Sequence, residues 1–263
     1  MAGADLAGAI LEQADLSDAN LKGAILEQAE GDAIRLCRSN LSGANLKKAT
    51  MDSADLSGAD LTGADLSDAD LERTILKGTL FNGTVCTKTF FNNCNLAQQK
   101  FPGCNLVMAH FEGADLTGAD LRGADITQAG FESAVLDRAN FTGITAEAVR
   151  FEKAMASGAF FSNALLPFVD FSGALLDSAD FSSASLRNAR FVAASCRSSS
   201  FAGTDLYCAD LSHSDLSGCN LSSASLNLAL LHAAKRDGVN WTRAMTETAR
   251  QDDPGLLEAE NWR

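Results

Sequence analysis

The residues best suited to metal binding or to disulfide formation are few and lie far apart in the sequence. The chain has seven cysteines and three histidines, and no two cysteines form a CxxC pair. His110, His213 and His232 fall at three different positions of the repeat described below. A metal site needs ligands that converge on one point, and a disulfide framework needs a regular, even set of cysteines. We therefore predict no metal site and no disulfides, with thiols kept reduced as in the cytoplasm.

No catalytic or cofactor motif is present either. The sequence contains neither a phosphate-binding GxxxxGK[ST] loop nor a dinucleotide-binding fingerprint. Asp55, Asp60, Asp65 and Asp70 form a carboxylate ladder that could suggest calcium sites. Successive repeats should point to different sides of the fold, however, so these four carboxylates diverge. We predict a protein that is not an enzyme and that holds no cofactor.

The sequence has a repeat period of five residues, which explains the five-residue spacing of these aspartates. Of the 46 residues found at every fifth position from Leu6 to Leu231, 40 are Leu, Phe or Ile, and no insertion breaks the register. The residue two places earlier is Ala, Ser, Thr or Cys in 41 of the 46 cases. A period of five fits neither an α-helix nor an alternating strand.

One repeat shows how such a chain can fold. In Ala54-Asp55-Leu56-Ser57-Gly58 we call Leu56 the central position, Ala54 the inner small position and Asp55 the bridge position. The last two residues are the first and second turn positions. Alanine and leucine lie on one face of a short extended piece, and the next two residues favour a bend. Repeated bends predict an all-β solenoid whose axis is filled by these two positions.

This pattern resembles the pentapeptide repeat family, and the resemblance covers about residues 3–231. It implies a right-handed quadrilateral β-helix with four pentapeptides per coil. The chain would then form about 11 coils and a tower of about 55 Å, at ~4.8 Å per coil. Residues 20 apart would stack. Phe occupies every tenth position from 81 to 201 except Leu121, which predicts two buried ladders of phenylalanine rings.

The repeat pattern stops at residue 232, and Lys235-Arg236-Asp237-Gly238 is a break. We therefore predict two parts, a β-helix over 1–231 and a helical segment over 232–263, with one helix over 241–250 and a helical turn after Asp253-Pro254. Two roles remain open for this segment. It caps the last coil, or it forms a homodimer contact, as the resemblance implies for some members. The apolar residues available are Trp241, Met245, Leu256, Leu257 and Trp262.

Charge and hydropathy exclude other classes. The chain has 34 acidic and 21 basic residues and a net charge of −13, which argues against direct binding of nucleic acid. No apolar run approaches the ~18 residues of a membrane span, and the N-terminus lacks the features of a signal peptide. We therefore expect a cytoplasmic protein that does not enter a membrane. Part of the acidity is structural, because Asp at the bridge position can accept a hydrogen bond from the turn.

Two functions are compatible with these features. The resemblance to bacterial quinolone-resistance and self-immunity proteins implies an acidic mimic of DNA that binds a type II topoisomerase, gyrase. The alternative is an adaptor, effector or structural scaffold, for example one associated with a secretion system, which binds protein without mimicry. A continuous acidic stripe favours the first function and scattered acids favour the second. Our candidate surface consists of acids not needed by turns: Glu12, Asp18, Asp52, Asp68 and Glu72.

Overall fold

The computed structural model describes residues 1–255 and residue 257. Backbone contacts group the chain into two compact units, Met1–Asn140 and Phe141–Arg263, called unit 1 and unit 2 below. In the described residues the strands are single-residue parallel bridges, one in each pentapeptide. Helical residues occur at 254, 255 and 257. Both units are thus built from the same five-residue element.

Each bridge joins residues that are 20 apart in the sequence. Asp5 pairs with Ile25, and Asp55 pairs with Ile75. At one such bridge, the N–H of Leu6 donates to the carbonyl of Ile25 at 2.8 Å, while the N–H of Ile25 donates to that of Ala4 at 2.9 Å. Four bridge positions therefore complete one coil, which gives the coil four sides. The 140 residues of unit 1 make seven such coils.

The corners between bridges are tight β-turns. In one of them the N–H of Ala54 donates to the carbonyl of Met51 at 3.1 Å, and Ser53 has a φ of 57°. A positive φ at the third residue is what a type II turn requires. The bridge-position carboxylate supports the next corner, because Asp55 Oδ1 accepts a hydrogen bond from the N–H of Ser57 at 2.9 Å. This confirms that aspartates of this type are part of the fold.

The core is the column of central and inner small side chains. In unit 1, Phe91 and Phe111 stack with ring centroids 5.1 Å apart. In unit 2, Phe161 and Phe181 stack at 4.9 Å, and rings ten residues apart meet edge to face, as Phe171 and Phe181 do at 5.5 Å. All twelve central phenylalanines are fully buried. The expected ladders are confirmed within each unit.

The prediction for residues 232–250 is wrong. The turn-and-bridge pattern does not stop at 231 but continues to Arg250, and the expected helix over 241–250 is replaced by bridges such as Ser225 to Met245 and Leu230 to Arg250. Small inner residues persist there as Ala234, Ala244 and Ala249. Hydrogen bonds to the preceding coil outweigh the weak local preference for helix.

The helical turn expected after Asp253-Pro254 is present. Asp253 Oδ1 accepts a hydrogen bond from the N–H of Gly255 at 2.9 Å, and its carbonyl accepts one from the N–H of Leu257 at 3.0 Å. Asp253 is therefore the N-cap and Pro254 the first helical residue. Leu256 and Trp262 lie outside the described residues. Within the described chain, we find no helix with the length and apolar character needed to span a bilayer.

Candidate interaction surface

The acidic residues fall into two structural classes. The aspartates at the bridge position are bound to their own turn. Hydrogen bonds from Ser17 hold the pKa of Asp15 below its usual value, and a hydrogen bond from Arg122 does the same for the pKa of Asp120. Acids at the two turn positions, such as Glu12 and Glu112, lie on the corners and are exposed. They are the residues available to a partner.

Acids of the second class form a column along one corner of unit 1. The first turn position of this corner holds an acid in six of the seven coils, and Asn92 occupies the remaining one. The column is tied together by direct contacts. Asp32 Oδ1 accepts a hydrogen bond from the N–H of Asp52 at 3.2 Å, and Glu72 Oε1 accepts one from Asn92 Nδ2 at 2.9 Å. We call this column the acidic edge: Glu12, Asp32, Asp52, Glu72, Glu112 and Glu132.

The acidic edge is only partly neutralised. Arg73 lies 2.5 Å from Asp52 and 3.8 Å from Glu72, and it is more than half exposed. Exposed ion pairs of this kind contribute about 0–1 kcal/mol. In the described part of the chain, Glu12, Asp32 and Glu112 form no ion pair, and all three are exposed. The edge therefore presents carboxylates that can accept donors from another molecule.

The structure brings together three of the five acids in our candidate surface. Glu12, Asp52 and Glu72 lie on the acidic edge, whereas Asp18 and Asp68 lie on two other corners. The Asp18 carboxylate already has a partner within the chain, because Arg38 donates hydrogen bonds to its two oxygens at 2.7 and 2.6 Å.

Sequence reasoning overlooked the rest of this edge. The missed acids are Asp32, Glu112 and Glu132. A comparison of residues 20 apart would have found them, because the same spacing predicted the phenylalanine ladders.

The cysteines do not form a site. Five occupy inward positions as expected, and burial raises the pKa of Cys94, Cys104 and Cys219 to about 12. All seven thiols are free, and Cys37 and Cys208 are the two that are partly exposed. Among the described residues, no group of His, Cys, Asp or Glu is arranged to hold a metal ion.

Unit 2 has a second surface of a different kind. Leu165 and Phe168 are 43% and 58% exposed, although both are large and apolar. On the same corner in later coils, the Arg187 guanidinium lies 4.3 Å from the centroid of the Tyr207 ring. Aromatic and arginine side chains are enriched at protein interfaces. We call Leu165, Phe168, Arg187 and Tyr207 the apolar corner.

Comparisons with known proteins settle the family. The family model for pentapeptide repeats matches eight copies, in residues 1–30, 39–78, 147–183 and 184–222, and the model for a pentapeptide repeat region matches residues 84–161. The chain belongs to the pentapeptide repeat family. Pentapeptide repeat proteins form right-handed quadrilateral β-helices, in agreement with the four-sided coil described above.

Two solved pentapeptide repeat structures are similar to this one. HetL, involved in heterocyst differentiation regulation in the cyanobacterium Nostoc sp. strain PCC 7120, is 28% identical, with a TM-score of 0.50 over 91% of this chain and 89% of HetL. QnrB1, a plasmid-mediated fluoroquinolone resistance protein, is 19% identical in a trypsin-treated form, with a TM-score of 0.50 over 75% of this chain and 96% of QnrB1. The likeness to QnrB1 shows the fold alone. No curated protein sequence matches the chain.

Proposed function

We propose that this pentapeptide repeat protein is a non-catalytic scaffold whose acidic edge binds a basic, DNA-binding surface of a protein partner. The observation that carries the proposal is the acidic edge itself, with acids in six of seven consecutive coils of unit 1. The most specific partner is a type II topoisomerase, gyrase, which the family resemblance implies. The free thiols are compatible with a meeting of the two proteins in the cytoplasm.

The spacing of the acids supports mimicry of one DNA strand. At ~4.8 Å per coil, Glu12 and Glu132 are separated by about 29 Å. One strand of B-DNA carries a phosphate about every 3.4 Å, and therefore about nine phosphates over that length. The six acids of the edge supply two thirds of this number. A basic groove that binds phosphates can thus be contacted by several carboxylates at once.

A matched pair of variants tests the proposal. The edge variant carries Glu12→Gln, Asp32→Asn and Glu112→Gln, and the control variant carries Asp18→Asn, Glu27→Gln and Asp68→Asn. Both variants lose three negative charges from unit 1, but only the first loses them from the acidic edge. We expect the wild-type protein to inhibit DNA supercoiling by gyrase at low salt and less strongly as salt rises, because salt screens exposed charges.

The two variants should then differ. The edge variant should need a several-fold higher concentration for the same inhibition, while the control should behave as wild type. Equal inhibition by both variants would show that the edge is not the contact surface. A wild-type protein that leaves supercoiling unchanged at micromolar concentration and low salt would exclude gyrase as the partner.

The apolar corner favours a second function, an adaptor that binds protein without mimicry of DNA. Its exposed Phe168 and Leu165 can bury apolar area against a partner, and such contacts depend little on salt. A pull-down from bacterial lysate at high salt tests this function. We expect a captured protein that is lost with Phe168→Ser and kept with the edge variant. Capture that is lost only with the edge variant would favour the first function.

The C-terminal segment remains proposed as a cap or homodimer contact. Trp241 is half-buried and, with Leu231, Arg236, Thr246 and Gln251, lines a cavity of about 340 Å³. Met245 projects outward and is 46% exposed, and Leu257 is partly exposed. Apolar side chains at this end of unit 2 can therefore contact a second copy of the chain.

A further inference from the structure

The backbone of unit 2 leaves the solenoid at its last corner. In the preceding coils, the second residue of this corner donates its N–H to a carbonyl of the next coil, as His213 does to His232 at 2.8 Å. Ala233 instead donates its N–H to the side chain of Asp252, at 2.8 Å from Oδ1. The chain therefore departs from the stacked path here, and we call residues 251–254 the departing segment.

Two side chains of unit 2 hold the departing segment in place. His232 is buried, and its Nδ1 accepts a hydrogen bond from the N–H of Asp253 at 3.2 Å. The His232 ring also meets the His213 ring edge to face, with centroids 5.4 Å apart. Arg236 is the second anchor, and it donates to Asp252 Oδ2 at 2.7 Å. The departing segment is thus fixed at two points and forms one wall of a cavity.

The cavity lies between the departing segment, one corner and one side of the solenoid. Its volume is about 650 Å³, within the range of about 300–1,000 Å³ that is typical of ligand pockets. Leu230 and Arg250, which form a bridge between adjacent coils, line it from the side. Ser212 and His213 line it from the corner, and Pro254 from the departing segment. Much of the wall is therefore apolar or flat.

The carboxylates at this cavity are already engaged by the chain itself. Asp252 accepts hydrogen bonds from the N–H of Ala233 and from Arg236, and the ion pair with Arg236 balances its charge. Asp253 Oδ1 accepts a hydrogen bond from the N–H of Gly255 at 2.9 Å. At least three of the four carboxylate oxygens thus have donors within the chain.

Two donors at the cavity lack such partners. Among the residues that the structure describes, the exposed Arg250 guanidinium forms no ion pair, and the Ser212 hydroxyl forms no hydrogen bond. A guanidinium binds a carboxylate through two parallel hydrogen bonds. Leu230, Pro254 and the His213 ring offer a surface on which a flat aromatic group can pack. The cavity therefore combines donors for an anion with an apolar wall.

We propose that this cavity binds a small aromatic carboxylate. Its carboxylate contacts Arg250 and Ser212, and its ring packs against His213 and Leu230. Inorganic phosphate is a poorer ligand, because it leaves the apolar wall uncovered. The site lies within unit 2, so the inference is independent of the acidic edge and of the partner proposed for it.

Nuclear magnetic resonance of the full chain with a defined probe tests the site. The probe is 2-naphthoate, and the control compound is 2-naphthamide, which keeps the ring and the carbonyl but carries no charge. We expect saturable shifts of the backbone amide signals of Ser212, Leu230 and Arg250 at millimolar 2-naphthoate. The control compound should bind at least about tenfold more weakly.

A matched pair of variants tests the role of the guanidinium. Arg250→Gln removes a charge from the cavity, whereas Arg243→Gln removes one from an exposed turn of the same coil that does not line it. We expect the first to weaken 2-naphthoate at least about tenfold and the second to leave its affinity within about twofold. If Arg250→Gln does not fold, Ser212→Val removes the other donor and should weaken the probe severalfold. Val192 occupies the same corner one coil earlier, so valine fits there.

Three results would overturn the proposal. The first is the absence of shifts at Ser212, Leu230 and Arg250 up to the solubility limit of the probe. The second is equal affinity for 2-naphthoate and 2-naphthamide, or for 2-naphthoate in the wild type and in the cavity variant, since the carboxylate would then not be recognised. The third is displacement of the probe by an equimolar amount of inorganic phosphate, which would show a site for anions in general.

Discussion

Phe171→Ala should be among the most destabilising single substitutions in unit 2. The Phe171 ring lies between two stacked rings, with centroid distances of 4.9 Å to Phe151 and 5.0 Å to Phe191. It also meets Phe161 and Phe181 edge to face at 5.4 and 5.5 Å. Its side chain is fully buried. One substitution therefore removes four aromatic contacts at once.

The expected cost follows from the cavity that remains. Truncation of a buried phenylalanine costs about 3–5 kcal/mol, and the value is high when the surroundings cannot collapse. Here the coils above and below are held apart by backbone hydrogen bonds, such as the one from the N–H of Phe171 to the carbonyl of Arg190 at 2.7 Å. We therefore expect about 5 kcal/mol. Phe171→Leu should cost about half as much or less, because Leu211 occupies the same column two coils later.

Urea unfolding of the full chain, followed by far-ultraviolet circular dichroism, measures both values. Glu147→Ala, an exposed turn substitution in the same unit, is the control and should stay within about 0.5 kcal/mol. Because repeat arrays can unfold in more than one step, amide exchange at Phe171 should be followed in parallel. A cost below about 1 kcal/mol for Phe171→Ala would refute the view of the ladder as a rigid, close-packed core.

Three further predictions follow from burial, charge and the last coil. A thiol reagent should label at most Cys37 and Cys208 in the native protein and all seven cysteines after unfolding, as mass spectrometry can show. The hydrogen bond from Ser217 lowers the pKa of Asp215 to about 2, so its stabilising effect is complete above about pH 4 and is lost as the pH falls through about 2. Asp215→Asn should therefore lower stability near pH 7 and flatten this acid dependence in urea titrations. If the C-terminal segment is a dimer contact, removal of residues 240–263 should convert dimers to monomers in light scattering, whereas a monomeric full-length protein would exclude that role.

The solenoid could be predicted from sequence because its signal is local and repeated. The pattern of each repeat predicts that the central and inner small side chains face inward. Leu56, Ala54 and Phe171 are buried, as this rule predicts. The rule failed near the C-terminus, where Arg236 and Thr246 occupy central positions. Pairing with the preceding coil overrode this local irregularity.

The acidic edge depends on relations between coils. The edge can be read from sequence once the 20-residue coil is known, because Asp32 and Glu72 then fall on one corner. The side-chain hydrogen bonds of Gln99 could not be predicted in this way. Gln99 is visible as an unusual inner residue, but the carbonyls that its amide reaches depend on the geometry of two coils.

Because each coil has four sides and 20 residues, surface residues are aligned along one corner only when they are 20 positions apart. Removal of one pentapeptide, for example residues 61–65, leaves the five-residue core register unchanged and turns every later repeat by one side. The acidic edge would then be cut in two, with Asp52 on its original corner and Glu72 on the neighbouring one. Removal of a whole coil of 20 residues would shorten the edge and keep it aligned. The five-residue register of inward side chains thus survives insertions and deletions in steps of five, whereas a binding surface made of stacked residues tolerates them only in steps of 20.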